Sequence, residues 1–348
     1  MRPGRGPRLT IAELRETALT LGLAAAAAGL FHLVGFPAPF LTGPAACVTI
    51  ASLAGMRTAI PDRLRDLCFL GLGIGIGATV TPKALEAAAI WPFSIVALGV
   101  ALVIGMVVNH RGLVRLFGYD RDTAFLSSVP GHLSYVISLS GGLKVDQAKI
   151  GMIMSLRVLV MTLAVPVILG LTVETAGSAP AVAPMAWPIA LGVFATSAVL
   201  GIGYHRMRLP AALLLGGMTV SGLLHATGAA TGGLPPWATL SAFLVLGALI
   251  GTRFRGRRPA DLADAALAGV LVTGVVLVIS GLGALAMARL LDLSPALVFV
   301  AFAPGGLEAM VAMAVQLNLD PAFVAAHHVS RLLFLTVLVP VMMGSRWR

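Results

Sequence analysis

The sequence predicts an all-α integral membrane protein made of two inverted repeats, each with about five spanning helices and one re-entrant or broken helix. Three observations predict this fold class: few charged residues, apolar segments along the whole chain, and an internal repeat. Of the 348 residues, 58% are hydrophobic and 11% are charged, whereas soluble domains contain about 25% charged residues. This composition excludes a soluble globular protein.

The apolar segments have the length of membrane helices, since about 20 helical residues cross a bilayer. The first segment could also be a signal peptide, but the repeat gives it a counterpart in the second half, so we expect it to stay as a membrane helix. The segments lie at residues 14–34, 41–56, 66–81, 88–109, 122–142 and 147–170, then at 187–204, 210–226, 236–252, 263–290, 294–315 and 321–344.

A shift of 174 residues aligns two interrupted apolar segments and the sequence that follows each of them. Such internal similarity indicates a duplicated unit. We therefore predict a first membrane repeat (1–172), a linker (173–184) and a second membrane repeat (185–348). The aligned pairs include Pro130 with Pro304, Gly131 with Gly305, Arg157 with Arg331, Pro166 with Pro340 and Gly170 with Gly344.

The distribution of Lys and Arg predicts the orientation of the repeats. If every segment spans, the halves run parallel and the basic residues divide between the two sides. If the interrupted segment of each half enters and leaves on one side, the halves are inverted, and outside the membrane only Lys83 and Arg289 are not cytoplasmic. The bias of basic residues toward the cytoplasm favours the second arrangement. It predicts a multi-pass protein of the inner (plasma) membrane with both termini cytoplasmic, and it explains the net charge of +10 without nucleic acid.

The interrupted segments read "LSSVPGHLSYVISL" (126–139) and "VAFAPGGLEAMVAM" (300–313). A helix over 122–129 rises about 12 Å, less than half of a hydrocarbon core of about 30 Å, so it reaches only near the midplane. Paired interruptions of this kind mark the binding sites of transporters. Two kinked spanning helices are the alternative. The predicted substrate-binding residues at the breaks are Pro130, Gly131, His132, Pro304, Gly305 and Gly306.

Arg157 and Arg331 lie midway along uninterrupted apolar segments. A charge at that depth costs at least about 3 kcal/mol, so each arginine needs an anionic or carbonyl partner. One interpretation is a substrate carboxylate or the ends of the re-entrant pieces. The other is a structural clamp between the hairpin and the helix. Both arginines are candidate substrate-binding residues.

Glu308 is the only carboxylate deep in an apolar segment, and the first half has Ser134 at the matching position. In a desolvated site such a group can exchange a proton or bind sodium. Glu308 is therefore the candidate coupling residue, and an ion pair with Arg331 is the structural alternative.

Three histidines lie close to these sites: His132 at the first break, and His327 and His328 within one helical turn of Arg331. A ligand or proton role and a packing role both remain open for them. No carboxylate accompanies them at metal-ligand spacing, so the sequence predicts no metal and no cofactor. An oxidase would need a cluster of His, Cys and carboxylate ligands, so we do not expect an enzyme.

Glycines four residues apart predict close helix packing. The pairs are Gly71 with Gly75, Gly73 with Gly77 and, in the second half, Gly247 with Gly251. The charged loop "TRFRGRRPADLAD" (252–264) is interpreted as a cytoplasmic anchor.

Four segments together resemble the AbrB membrane protein family: "PAPFLTGP" (37–44), "LPAALLLGGM" (209–218), "SSVPGHLSYV" (127–136) and "APGGLEAMVAMA" (303–314). The resemblance covers nearly the entire chain. The family is similar in fold to cation/proton antiporters and organic-anion transporters with inverted five-helix repeats, so the resemblance implies a transporter. The family has also been labelled a regulator of gene expression and an ammonia monooxygenase. It differs from the small soluble DNA-binding regulator of the same name.

The expected function is secondary transport of a small solute, with a small organic anion as the leading class, by alternating access and with proton or sodium coupling. The alternative is a membrane sensor or regulatory protein that affects gene expression through a ligand or partner. Such a protein would need a cytoplasmic output domain, and the charged loops here are short. The expected partners are the solute and the lipid bilayer, with a homodimer as a further candidate.

Overall fold

The computed structural model of the chain describes residues 10–80, 88–131, 133–141, 143–172, 183–207, 209, 211–257 and 259–344. The described residues are mostly α-helical and form no β-strand, only an isolated bridge between Pro184 and Gly233. The helices of the first half are α1 (Ile11–Leu33), α2 (Pro39–Leu53), α3 (Asp62–Gly77), α4 (Trp91–Phe117), α5 (Arg121–Ser128), α6 (Leu133–Ser140) and α7 (Gln147–Thr172).

The second half has a matching series of helices. They are α8 (Trp187–Arg206), α9 (Ala212–Ala226), α10 (Pro236–Thr252), α11 (Pro259–Leu291), α12 (Pro295–Phe302), α13 (Leu307–Gln316) and α14 (Pro321–Met343). Among the described residues, 6 helices are long and apolar enough to cross a membrane, namely α1, α4, α7, α8, α11 and α14. The prediction of an all-α, membrane-type fold is confirmed.

Corresponding helices begin at a nearly constant spacing along the chain. For example, α3 begins at Asp62 and α10 at Pro236, and α5 and α12 keep the same spacing. Left-handed backbone also recurs: Ala38 and Ala211, which precede α2 and α9, have φ values of 51° and 50°. This conformation is unfavourable for a residue with a β-carbon. Its presence at both positions indicates the same chain path in the two halves.

Gly73 with Gly77 and Gly247 with Gly251 lie where helices from different halves meet, which confirms the predicted close packing for these two pairs. The prediction is wrong for Gly71 with Gly75, because a β-carbon at either residue would meet only the Leu234 side chain, at 3.9 and 4.0 Å. A β-carbon at Gly73 would overlap the Leu214 carbonyl of α9, and one at Gly77 would lie 2.6 Å from the Gly222 nitrogen. Both residues of α3 thus face α9, in the same order along the two helices. α3 and α9 therefore run in the same direction.

The second pair of glycines makes the equivalent contact between α10 and α2. A β-carbon at Gly247 would overlap the Leu41 carbonyl, and one at Gly251 would lie 2.7 Å from the Thr49 nitrogen. α2 and α10 therefore also run in the same direction.

The helices sort into two bundles, each with helices from both halves. α1–α3 pack with α8–α10, and α4–α7 pack with α11–α14. The two bundles meet where α2, α3 and α10 contact α7, α13 and α14. The innermost element is α13, which is buried from Leu307 to Ala314.

Candidate functional site

The interrupted segments are broken helices, and both breaks coincide with Pro-Gly. α5 ends at Ser128, and Val129, Pro130 and Gly131 lead toward α6. His132 lies outside the described residues. Proline cannot donate a backbone hydrogen bond and clashes with the preceding helical turn, which explains why the first helix stops there.

The second break has the same form. α12 ends at Phe302 with Ala303 as its C-cap, and α13 begins after its N-cap, Gly306. Pro304 and Gly305 lie between the two helices and are buried. The described break residues of each half therefore lie between the ends of two short helices.

Each intramembrane arginine donates to the break in its own half. Arg157 Nη1 donates to the Val129 carbonyl (3.1 Å). Arg331 Nη1 donates to the Ala303 carbonyl (3.1 Å), and Nη2 donates to the Gly305 carbonyl (2.8 Å). In both halves the first bond joins residues 28 positions apart. These carbonyls lie at the negative end of a helix dipole, so the contacts are those expected for a clamp between hairpin and helix.

The hydrogen bonds of α14 define the path of the second hairpin. His328 Nε2 lies 3.1 Å from the Val300 carbonyl, and Arg331 contacts Ala303 three residues further along both helices. α12 therefore runs beside α14 in the same direction. α13 starts at the level of Arg331 and ends at Gln316, one short turn before α14 begins. It thus returns toward the start of α14.

The first hairpin follows a similar path. The Asp146 backbone N–H donates to Thr123 Oγ1 (3.0 Å) near the starts of α7 and α5, whereas Arg157 and Val129 meet further along both helices. α5 therefore runs with the first part of α7. The connection 141–146 is too short to cross a hydrocarbon core of about 30 Å at about 3.5 Å per residue. We infer that α6 returns toward the start of α7.

Both arginine side chains keep an unused donor. Arg157 is 1% exposed and Arg331 is 3% exposed. The Nε of each is buried and has no hydrogen-bond partner within the described part of the chain. A buried unsatisfied donor costs about 1–3 kcal/mol, and more in a charged group. The guanidinium groups of Arg157 and Arg331 also interact electrostatically with each other.

Glu308 lies in the first turn of α13, behind its N-cap Gly306, and is 7% exposed. A carboxylate there is stabilised by the positive end of the helix dipole. Glu308 makes no hydrogen bond or direct ion pair with any residue that the structure describes, although it interacts electrostatically with Arg331 and Arg253. The sequence left open a direct ion pair between Glu308 and Arg331, and the described residues do not form one.

Arg253 is a charged residue of this region that the sequence analysis assigned to a cytoplasmic anchor. It caps the C-terminus of α10, is half-buried, and interacts electrostatically with Arg157 and Glu308. A signal was available: at the repeat spacing Arg253 falls on Thr79, just as Glu308 falls on Ser134. Both charges occur only in the second half, and that shared asymmetry could have linked them.

Arg255, in the same loop, binds two other parts of the chain. Arg255 Nη1 lies 3.0 Å from Glu16 Oε2 near the start of α1 and donates to the Thr58 carbonyl (3.1 Å). These contacts join the α10–α11 loop to the start of α1 and to the α2–α3 loop.

The two histidines of α14 have packing contacts. His327 lies between Ser94 Oγ of α4 (2.7 Å from Nε2) and the Phe323 carbonyl (2.8 Å from Nδ1), and its ring lies 4.0 Å from the Phe323 ring. His328 contacts the Val300 carbonyl through Nε2, while its Nδ1 has no partner among the described residues. The His327 contacts satisfy both ring nitrogens and join α14 to α4.

The chain matches the sequence model of a family described as "Transition state regulatory protein AbrB" over residues 40–346. It is 26% identical to "Uncharacterized protein YhjN" of Bacillus subtilis (strain 168), over 92% of this chain and 90% of that protein. It is 24% identical to "Putative regulator AbrB" of Escherichia coli (strain K12), over 89% of this chain and 90% of that protein.

Proposed function

This chain belongs to the AbrB family, and we propose that it is a secondary transporter of a small organic anion that works by alternating access. The observation that carries the proposal is the pair of buried arginines, each bound to a helix break and each with an unused Nε–H. Discontinuous helices near the midplane form the substrate sites of many transporters. Two guanidinium groups at such breaks favour a carboxylate, which can accept their remaining donors.

An inverted repeat is part of the proposal, and helix directions support it. If α2 and α3 both span the membrane, as the sequence predicts, they run in opposite directions because they are consecutive. α9 corresponds to α2 in chain order but runs with α3. On that basis the parallel packing of α9 with α3 supports corresponding helices that point in opposite directions.

The contacts of Arg255 with Glu16 and Thr58 also favour inversion. They join the α10–α11 loop to the start of α1, on the side that an inverted repeat predicts for that loop. In a parallel arrangement of fully spanning segments, the loop would lie on the opposite side. The bias of basic residues agrees with the inverted arrangement.

The charges around the breaks favour an anionic substrate. Arg157, Arg253 and Arg331 interact electrostatically with one another or with Glu308. These four groups carry an excess of positive charge when all are ionised. Because buried like charges repel strongly at low dielectric, a bound anion would stabilise the group.

The moving units in this proposal are the two bundles, each with helices from both halves. The bundle of α4–α7 and α11–α14 contains both breaks and both clamps. Its motion against α1–α3 and α8–α10 would expose the site alternately to the two sides. Glu308, on α13 where the bundles meet, is the proposed coupling group for a proton or sodium.

Uptake into proteoliposomes tests this function. Radiolabelled small carboxylates would be presented under an imposed pH gradient, and separately under a sodium gradient, with protein-free liposomes as the control. We expect at least one carboxylate to accumulate only when protein and a gradient are present. A protein that accumulates neutral solutes or cations but no carboxylate would contradict the proposed substrate class.

A regulatory protein is the second candidate, because the family description and the name of the Escherichia coli relative both refer to regulation. The same bound anion would then act as a signal for a cytoplasmic partner. Binding of a carboxylate without flux in any gradient would favour this candidate.

A further inference from the structure

A groove of about 440 Å³ lies between α4 and α14, and its described lining comes from these two helices alone. This volume is within the range of small-molecule sites, about 300–1,000 Å³. The polar residues of its lining are Ser330 and Arg331, and the rest of the lining is apolar. Val96 and Val100 are 67% and 56% exposed, so the groove opens to the outside of the helix bundle.

The equivalent place in the first half is packed. At the repeat spacing, Ser330 corresponds to Leu156 and Ile95 corresponds to Gly269. Leu156 lies against Gly269 so closely that a β-carbon there would overlap its side chain. In the second half the short Ser330 side chain replaces that leucine. The space beside Arg157 is therefore filled by Leu156, whereas the equivalent space beside Arg331 forms the groove.

The depth of the groove limits what can occupy it. Arg331 lies midway along α14, a helix of 23 residues, which corresponds to the centre of a hydrocarbon core of about 30 Å. The headgroup of a diacyl phospholipid stays at the interface, about 15 Å away. A single-chain acid has no such anchor and can enter a bilayer in its protonated form.

We propose that this groove binds a single-chain amphiphilic carboxylic acid from the bilayer. Its hydrocarbon tail lies on the apolar lining of α4 and α14, and its carboxyl group reaches Ser330 and Arg331. The Ser330 hydroxyl and the Arg331 guanidinium group, the polar groups of the groove lining, supply the donors for that group. This site goes beyond the transport proposal, because binding from the lipid side requires no transport cycle.

Binding of radiolabelled palmitate to the purified protein in nanodiscs tests the site. We expect saturable binding, with hexadecanol competing at least tenfold more weakly than unlabelled palmitate. Ser330→Leu, which restores the leucine of the first half, should weaken binding at least tenfold. Gly99→Leu should act in the same way from the α4 wall, where Gly99 faces Phe334. Val341→Phe adds bulk to an exposed position of α14 outside the groove lining and should leave binding unchanged.

Thermal unfolding of each variant checks that it is folded, and either groove-filling variant suffices. Equal competition by hexadecanol would overturn the proposal, because the groove would then be only an apolar surface. Unchanged palmitate binding in a folded groove-filling variant would also overturn it. So would displacement by phosphatidylglycerol at the same concentration as by palmitate. None of these outcomes bears on the uptake of small carboxylates, so the transport proposal is tested separately.

Discussion

The two helix breaks share one frame but differ in charge. Each has a Pro-Gly interruption and an arginine 28 residues after the carbonyl that it binds. Only the second break has a carboxylate in its returning helix, Glu308. Among the described contacts, Arg331 binds a second carbonyl, that of Gly305, and Arg157 does not. The clamp is therefore common to both halves, whereas the titratable group is specific to one. This difference is the reason why we propose Glu308, rather than a residue shared by both halves, as the coupling group.

The sides from which the two hairpins enter are the sharpest test of the comparison. Arg121 and Pro295 begin α5 and α12, occupy equivalent positions and are exposed. In a variant lacking Cys47 and Cys68, Pro295→Cys should react with an impermeant thiol reagent in intact cells, and Arg121→Cys only after permeabilisation. Equal labelling of both positions in intact cells would refute inverted hairpins.

Loss of coupling is the next largest expected effect. Glu308→Gln keeps the side-chain shape and removes the charge, so gradient-driven accumulation should be lost while exchange of bound substrate persists. Stability should change little, because Glu308 forms no direct ion pair within the described part of the chain. Uptake, exchange and thermal unfolding in detergent would be measured together.

A large loss of stability in Glu308→Gln would instead indicate a structural charge pair. Since a buried charge without its partner is strongly destabilising, adding Arg331→Met should then restore stability. If stability, uptake and exchange were all unchanged in Glu308→Gln, the coupling role would be wrong.

The two clamps should differ in strength. Arg331→Met removes two hydrogen bonds from a charged donor, and Arg157→Met removes one. Hydrogen bonds to charged groups contribute about 1.5–3 kcal/mol each, so we expect the free energy of unfolding to fall by about 3–6 kcal/mol and about 1.5–3 kcal/mol. Urea unfolding in detergent measures both. A larger loss for Arg157→Met would contradict the clamp geometry.

The contact between α3 and α9 can be tested with two glycines of α3, Gly77 and Gly75. A β-carbon at Gly77 would lie 2.6 Å from α9 atoms, whereas one at Gly75 would have its nearest neighbour at 4.0 Å. Gly77→Ala should therefore lower the free energy of unfolding by about 1–3 kcal/mol. Gly75→Ala should be neutral or slightly stabilising, because alanine favours a helix by about 1 kcal/mol over glycine. Similar losses for both variants would show that α3 and α9 are not in close contact at Gly77.

The smallest expected effect concerns Arg253. Like Glu308, it is a charged residue at a position where the first half has an uncharged one. Removing a positive charge near the site weakens its attraction for an anion. Arg253→Gln should therefore raise the substrate concentration that gives half-maximal uptake, without abolishing uptake. Arg257→Gln, in the same loop, is the control and should leave that concentration unchanged. Equal shifts in both variants would mean that the effect is a general change of surface charge.

Much of the site could be predicted from the sequence. Pro166 and Pro340 lie inside α7 and α14, so proline alone does not end a helix. At Pro130 and Pro304 a glycine follows the proline, and this pair of helix-disfavouring residues makes the breaks predictable from local chemistry. The depth of Arg157 and Arg331 follows from the length of the apolar segments around them. Their partners could not be predicted, because a guanidinium group can bind a substrate, a side chain or a carbonyl, and the packing of α5 against α7 and of α12 against α14 decides which carbonyl is near.

The sequence alone determined the membrane class, the repeat and the position of each break, because hydropathy, self-similarity and helix termination depend on residues close together in the chain. Only the tertiary structure decided that Arg253 lies near Glu308, that Leu156 closes one side of the frame and that Ser330 leaves the other open. These relations join helices that are far apart in sequence. They depend on how side chains of different size and charge pack across an interface, and no local pattern specifies that.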